Sequence, residues 1–248
     1  SYGKVFMADN DINGSQTEMI FPIRYSGLNT QTYGGTTFIT HAAVGGSMNP
    51  TNFGINGGWF GLRTRPEFVA KFAGDPRGMF YTTGQSLSIG NIGNFGDGYA
   101  VEKYKNIKST GGQGSDVSGN FVDIDFPVFR LADAYLMYAE LAARGQGSTS
   151  QAATYVNTLR TRAGGSATVV AGDINLDFVL DERGRELYWE GHRRQDLIRF
   201  GKYTGGVYNW QWKGGVQAGT SIDDKFKIFP IPATAIGANP TLQQNPGY

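Results

Sequence analysis

The chain has 248 residues, with 22 Lys and Arg against 21 Asp and Glu and a formal net charge of +1. That length is enough to bury a substantial core, and the near-zero charge supplies no broad field to draw in nucleic acid or an anionic membrane surface, which argues against both as partners. Cysteine is absent, removing disulfides, thiolate metal centres and cysteine nucleophiles together, while 37 Gly beside 13 Tyr, 16 Phe and 4 Trp describe a loop-rich, aromatic-rich chain.

The first patterned stretch, Asp9-Asn10-Asp11-Ile12-Asn13-Gly14, opens like a calcium loop, with Asp9, Asp11 and Asn13 as candidate ligands. The twelfth position is Ile20 where such a loop needs a bidentate Glu, although Glu18 is close by. An Asx-rich turn leading into a strand over residues 19–24 is the competing account, and Pro22 suits an edge position in that strand. Residues 66–72 suit a short helix with Pro66 in its first turn, 100–104 a second strand, and 111–119 a flexible Gly/Ser loop. No apolar run approaches the roughly 18 residues of a membrane-spanning helix, and the N-terminal residues lack the pattern of a signal peptide.

Helical rhythm is predicted from Pro127. Val128, Leu131, Ala132, Tyr135, Leu136, Ala139 and Ala142 repeat at three and four residues and line one face until Gly145. Ser148 and Gln151 read as a capping box opening a second helix, whose Ala152, Val156, Leu159 and Ala163 keep the same spacing until Gly164 and Gly165. Residues 127–163 thus form an αα-hairpin close in length to the roughly 34-residue tetratricopeptide unit, and a lone unit cannot bury its own face. A third helix is predicted over 176–189, capped by Asp173 or Asn175, and a short fourth around 193–200. Residues 225–232 alternate like a strand, and the Pro-rich tail beyond them reads as extended.

Four blocks in this order resemble the SusD/RagB family of nutrient-binding outer-membrane lipoproteins: Phe126-Pro-Val-Phe-Arg-Leu-Ala-Asp-Ala-Tyr-Leu-Met-Tyr-Ala-Glu140; Asn157-Thr-Leu-Arg-Thr-Arg-Ala163; Glu182-Arg-Gly-Arg-Glu-Leu-Tyr-Trp-Glu-Gly-His-Arg-Arg-Gln-Asp-Leu-Ile-Arg-Phe200; and Phe229-Pro-Ile-Pro232 with Asn239-Pro240 and Gln244-Asn-Pro-Gly-Tyr248. The resemblance covers the C-terminal half of such proteins. It implies a mainly α, SusD-like fold, with the tetratricopeptide-type hairpin and extra helices beside a large irregular region. The expected organisation is a loop-rich, ligand-facing part at 1–125, a helical scaffold at 126–202, and a C-terminal loop and extended tail at 203–248. It further implies a non-catalytic protein, held at the outer-membrane surface by an N-terminal lipid anchor outside this chain. Such a protein captures oligosaccharides, or peptides in some relatives, and passes them to a SusC-like TonB-dependent transporter. A carbohydrate-active enzyme and a helical scaffold for a protein partner are the alternatives.

Candidate site residues come from side-chain chemistry. Tyr25, Tyr33, Phe38, Phe53, Trp59 and Phe60 lie in Gly/Asn/Thr-rich segments, where no periodicity assigns a ring to a core. A flat ring offers an apolar face to the C–H face of a pyranose. Trp59, flanked by Gly57, Gly58 and Gly61, leads this group, with Tyr33, Phe53 and Phe60 as neighbours in a ligand-binding arc. Each stack removes about 50 Å² from water, worth roughly 1 kcal/mol, so millimolar affinity, about 4 kcal/mol, needs several rings acting together. A glycosidase would need two carboxylates about 5–10 Å apart across a cleft, and Glu182, Glu186 and Glu190 are the obvious candidates. Their spacing against Arg183, Arg185, Arg193 and Arg194 instead suits ion pairs. Arg160 and Arg162 are expected to bridge the hairpin to Glu140 or to later helices. His41 and His192 are too few for a zinc centre, and His41 reads as a loop residue without an orienting acid.

Overall fold

The computed structural model describes residues 1–166 and 168–248, which gather into two compact units, Ser1–Arg193 and Arg194–Tyr248. In the first unit, strand β1 (Met19–Ile23) is followed by helices α1 (Gly35–Ala42) and α2 (Pro66–Val69), and by the two-residue strands β2 (Phe80–Tyr81) and β3 (Ala100–Val101), which pair with each other. Strand β4 (Phe126–Arg130) then leads into α3 (Leu131–Ala143), α4 (Thr149–Arg162) and α5 (Leu176–Leu187). Among the described residues the fold is mainly helical with few short strands.

The hairpin of α3 and α4 forms as its spacing predicts, but its first helix starts at Leu131 and not at Pro127. Residues Phe126–Arg130 pair antiparallel with β1 instead, Pro127 standing opposite Pro22. Proline's fixed φ suits an edge strand as well as a first helical turn, so the residue alone does not choose between them. The pairing also ties residues on either side of position 125 into one unit. Ala132, Leu136, Ala139 and Ala142 of α3 are buried with Ala152, Ala153, Val156 and Leu159 of α4. The small alanines let the helices approach closely, and Tyr135 stacks on Tyr155 with centroids 4.4 Å apart. The Ser148 hydroxyl accepts the Gln151 N–H at 3.2 Å, but the Ser148 N–H donates to the Tyr138 hydroxyl at 3.3 Å, so only the N-cap half of the expected capping box forms, while the Asn175 side chain accepts the Phe178 N–H at 3.0 Å as predicted. Asp173 instead caps the preceding 3-10 turn by accepting the Val170 N–H.

Against α3 and α4 packs α5, and its buried face carries charge. Arg77, fully enclosed, reaches Glu182 at 2.9 Å, Glu186 at 3.0 Å and Asp75 at 2.6 Å. Arg130, delivered by the end of β4, meets Glu186 and Glu190 at 2.6 Å each and Glu18 at 2.7 Å. Lys103 joins Glu190 at 2.6 Å, Arg160 and Arg185 both join Glu182 at 2.7 Å, and Arg162 joins Glu186 and Glu18. Burial opposes ionisation of Glu186, but Arg130, Arg162 and Arg77 outweigh it and hold the carboxyl far below the usual range. Glu182 and Glu190 are lowered by the same contest of burial against cations. Lys103 is pushed down to about 8, by burial first and Arg130 second, against the pull of Glu190. Glu182, Glu186 and Glu190 therefore form ion pairs, but of the arginines their spacing offered only Arg185 is seen on one of them, at Glu182, and the other partners come from distant segments. Arg160 and Arg162 bridge to α5, while Glu140 pairs with Arg144 of its own helix turn.

The second unit holds most of α6 (Arg193–Arg199) and the short helix α7 (Ala233–Ala238). The expected strand over 225–232 is absent: Asp224–Lys227 forms a 3-10 turn, capped by the Asp223 side chain at the Lys225 N–H. The prolines that follow prevent a ladder, and the Gln244 amide ties the tail to both backbone groups of Ile231 at 2.8 and 2.9 Å. Trp210 and Trp212 do not share one face of a strand: Trp212 has φ of 63°, and Trp210 stacks on Tyr208 at 4.8 Å. Among the described residues no helix is long and apolar enough to cross a membrane.

Replacing Glu186 by Gln removes the buried negative charge shared by Arg77, Arg130 and Arg162, and is expected to cost about 3–5 kcal/mol in urea unfolding. Because the carboxyls of Glu182, Glu186 and Glu190 titrate below their usual 4.5 in the folded chain, their contribution is complete above that value and is lost as pH falls through the lower folded values. The melting temperature should hold until about pH 4.5 and then drop, with a shallower acid limb for Glu186→Gln.

Candidate ligand-binding surface

Helix α1, read from sequence as loop, is the base of the aromatic surface. Its composition, Gly-Thr-Thr-Phe-Ile-Thr-His-Ala, is poor in strong helix formers, which hid it. Gly35 opens it at φ of +55°, and a Cβ there would lie 1.6 Å from the Tyr25 hydroxyl oxygen, so only glycine fits. At the other end, the carbonyls that the helix leaves unpaired are taken by the segment after Gly58. Trp59 donates to the His41 carbonyl at 2.9 Å, and Gly61 and Leu62 donate to that of Ala42 at 3.0 and 2.8 Å. Gly58 permits this approach, because a Cβ there would lie 2.1 Å from the Val44 carbonyl oxygen. Trp59 is thus held by its backbone at the tip of α1.

Around its ring stand Tyr33 at 6.2 Å and Phe38 at 6.1 Å, inclined to it by 56° and 54°. Phe121 lies 5.1 Å from Tyr33 and extends the group. Tyr33 is 63 % exposed and Trp59 39 %, and Phe38 is also open to solvent. The loop carrying Phe121 is drawn together by Asp116, whose carboxylate accepts the N–H groups of Ser118, Asn120 and Phe121 at 2.9, 3.1 and 3.0 Å. Burial works to raise that carboxyl, but the Ser118 hydroxyl and the backbone N–H groups outweigh it and lower it. Asn56 and Asn120 meet through their side chains at 2.6 Å, placing amide groups in the same loops.

Of the four predicted ring residues, Tyr33 and Trp59 are together. Phe60, 57 % exposed and held at φ of 59°, turns to a different partner, Phe95, at 5.7 Å. Phe53 is a correction: it is 3 % exposed, a core ring beneath the Lys105 ammonium, and presents no face to a ligand. Sequence reasoning passed over His41 and Phe121. His41 lies three residues after Phe38, a spacing that means something only once α1 is recognised, and Phe121 is brought in by tertiary packing that leaves no local signal.

The calcium reading is also corrected. Both carboxylate oxygens of Asp9 are used, accepting the Ser109 N–H at 2.9 Å, the Ser109 hydroxyl at 2.6 Å and the Asn13 amide at 3.1 Å. Asp11 lies 3.9 Å from Arg24, and among the described residues no group of three or more His, Asp or Glu is placed to hold a metal ion. Asp9, Asp11 and Asn13 belong to an Asx-rich turn stitched to residue 109. The carboxyls of Glu182, Glu186 and Glu190 are equally committed, each buried against arginines.

The SusD family model matches residues 70–248. The starch-binding protein SusD of Bacteroides thetaiotaomicron is 32 % identical over 297 residues, covering all of this chain and 52 % of that protein. The SusD-like protein P25 of Formosa agariphila is 36 % identical over 130 residues, covering 49 % of this chain and 24 % of that one. Surface glycan-binding protein A of Bacteroides thetaiotaomicron, solved in complex with laminarihexaose, superposes with a TM-score of 0.67 at 25 % identity, over 96 % of this chain and 54 % of its own. The chain therefore spans about half the length of the full SusD relative.

A Gly35→Ala substitution should force Tyr25 aside and strain a left-handed backbone, costing at least about 1–3 kcal/mol in thermal or urea unfolding. Adding Tyr25→Ala is expected to recover the steric part of that loss and not the backbone part.

Proposed function

Because this chain belongs to the SusD family, we propose that it binds carbohydrate without transforming it, at the surface formed by Trp59, Tyr33 and Phe38. The observation that carries the reading is the group of three solvent-open rings set around a backbone tied to the tip of α1. Apolar ring faces next to amide side chains match the alternation of C–H faces and hydroxyls on a pyranose. Their mutual tilt of 54° to 56° offers successive faces to a chain that curves, and fits a flat, ribbon-like glucan poorly. The names of the relatives, starch-binding and glycan-binding, support the same class of ligand.

A non-catalytic role is supported by the state of the acids. Glu182, Glu186 and Glu190 are buried among cations and held ionised, whereas a glycosidase needs one carboxyl kept protonated above the usual range. In the full-length protein, the family resemblance extends the reading to a lipid-anchored outer-membrane protein that captures oligosaccharides for a SusC-like TonB-dependent transporter. The contribution of Phe60 is a secondary contact, since its ring faces Phe95 and not Trp59.

Calorimetric titration of the chain with maltoheptaose, laminarihexaose and cellohexaose tests this. The two curved glucans should bind more tightly than cellohexaose, and Trp59→Ala should weaken binding about ten-fold or more, while the melting temperature moves by no more than about 2 °C. Release of reducing ends during the titration would overturn the non-catalytic reading, and unchanged affinity in Trp59→Ala would remove the platform from it.

A further inference from the structure

The ring beneath Trp59 is that of His41. Their centroids lie 4.7 Å apart with planes inclined by 21°, so the imidazole is stacked under the indole while the other rings stand at its edges. His41 is 1 % exposed, and both of its ring nitrogens face backbone carbonyls: Nδ1 that of Gly57 at 2.7 Å, and Nε2 that of Asn120 at 3.0 Å. Gly57 begins the segment that carries Trp59, and Asn120 precedes Phe121. One side chain on α1 therefore touches both loops of the surface and supports its central ring.

We propose that His41 is the positioning residue of this surface, clipping the Gly57 and Asn120 loops to α1 and fixing the plane of the Trp59 ring from below. The proposal rests on the glycan-binding reading for its functional consequence, though the geometry of the clip does not depend on that reading. Imidazole suits the place for two reasons. It is flat enough to stack on an indole, and it carries polar atoms at opposite edges where the two carbonyls converge. Phenylalanine would supply the floor and leave both carbonyls without a donor, whereas an amide would reach a carbonyl and lose the floor.

The contact also marks the ring's chemistry. A neutral imidazole has one N–H, so it donates to one carbonyl at a time, and a protonated ring donates to both. Burial pulls its protonation below the usual histidine value, against the draw of the two carbonyls. Few charged groups surround it. Helix α1 carries no acid or other base, and residues 57–61 carry none. From the third side the titratable group is Asp116, which is bonded to the N–H groups of Ser118, Asn120 and Phe121, while the Tyr33 phenol stands at the rim of the indole. Removal of the indole should therefore act on His41 through burial alone.

The test needs no ligand at first. The two histidines of the chain, His41 and His192, can be titrated by NMR in the wild type and in Trp59→Ala. His41 should titrate below 6.5 in the wild type and move up toward it by at least about half a pH unit when the indole is removed. An unchanged His41 titration would overturn the stacking on which the proposal stands. In a second arm, His41→Gln and His41→Phe are compared with the wild type for affinity to maltoheptaose and laminarihexaose, and for acrylamide quenching of the Trp59 emission, taken as the difference from Trp59→Phe. Both variants should expose the indole and weaken binding about five-fold or more, even where the melting temperature falls little. Lower melting temperature with unchanged quenching and affinity would reduce His41 to a stabilising residue. If the wild type binds neither glycan, the glycan reading fails while the titration and quenching still decide the placement of His41.

Discussion

The first unit is arranged around three buried carboxylates, two on α5 and one just beyond its end. Glu182, Glu186 and Glu190 are buried, and each is ionised because arginine or lysine from a distant part of the sequence reaches it. Arg77 comes from the segment after α2, Lys103 from the segment after β3, Arg130 from the end of β4, and Arg160 and Arg162 from the last turn of α4. A charge taken out of water costs several kcal/mol, and the cost is offset only when every partner is in place. The network thus requires these segments to arrive together. It explains why a chain so rich in glycine and irregular backbone has one arrangement: its loops end on fixed charges as well as on an apolar core.

The aromatic surface is built by a different chemistry. No ion pair forms it. Its parts are the unpaired carbonyls at the end of α1, the N–H groups of residues 59–62 that satisfy them, the Asp116 turn, and an imidazole between two carbonyls. Apart from the charge-assisted bonds to Asp116, these are neutral hydrogen bonds each worth about 1 kcal/mol, so the surface is held by many small terms, and its side chains can differ without disturbing the charged centre. The separation suits a binding protein, whose scaffold must persist while its surface is fitted to a ligand.

Much of this was legible in the sequence where a period or a cap existed. The α3–α4 hairpin and α5 follow from apolar spacing and from Ser148 and Asn175, and of the charged pairs Glu182–Arg185 follows from its own spacing. What escaped had no such signal. Pro127 satisfies the rules for a helix start and for an edge strand, and only its partner β1, more than a hundred residues earlier, decides between them. Helix α1 lacks helix-forming residues because its ends are fixed by Gly35 against Tyr25 and by the 59–62 backbone, which are tertiary facts. Phe53 and Trp59 stand in similar Gly/Asn surroundings, yet one is core and the other surface, a difference made by which way a 3-10 turn faces.

The two chemistries respond differently to acid, and that difference links scaffold to surface. The carboxyls of Glu186 and Glu190 titrate below their usual range because cations hold them ionised, whereas His41 titrates below its own because burial discourages a charge there. As pH falls from neutrality, the range of His41 is met while the carboxyl network is still ionised, so the His41 clip is the part of the aromatic surface placed to respond to mild acid. Only in stronger acid do the arginines lose their partners, and at that point the segments that converge on α5, Arg77 and Arg130 among them, lose the charges that hold them together.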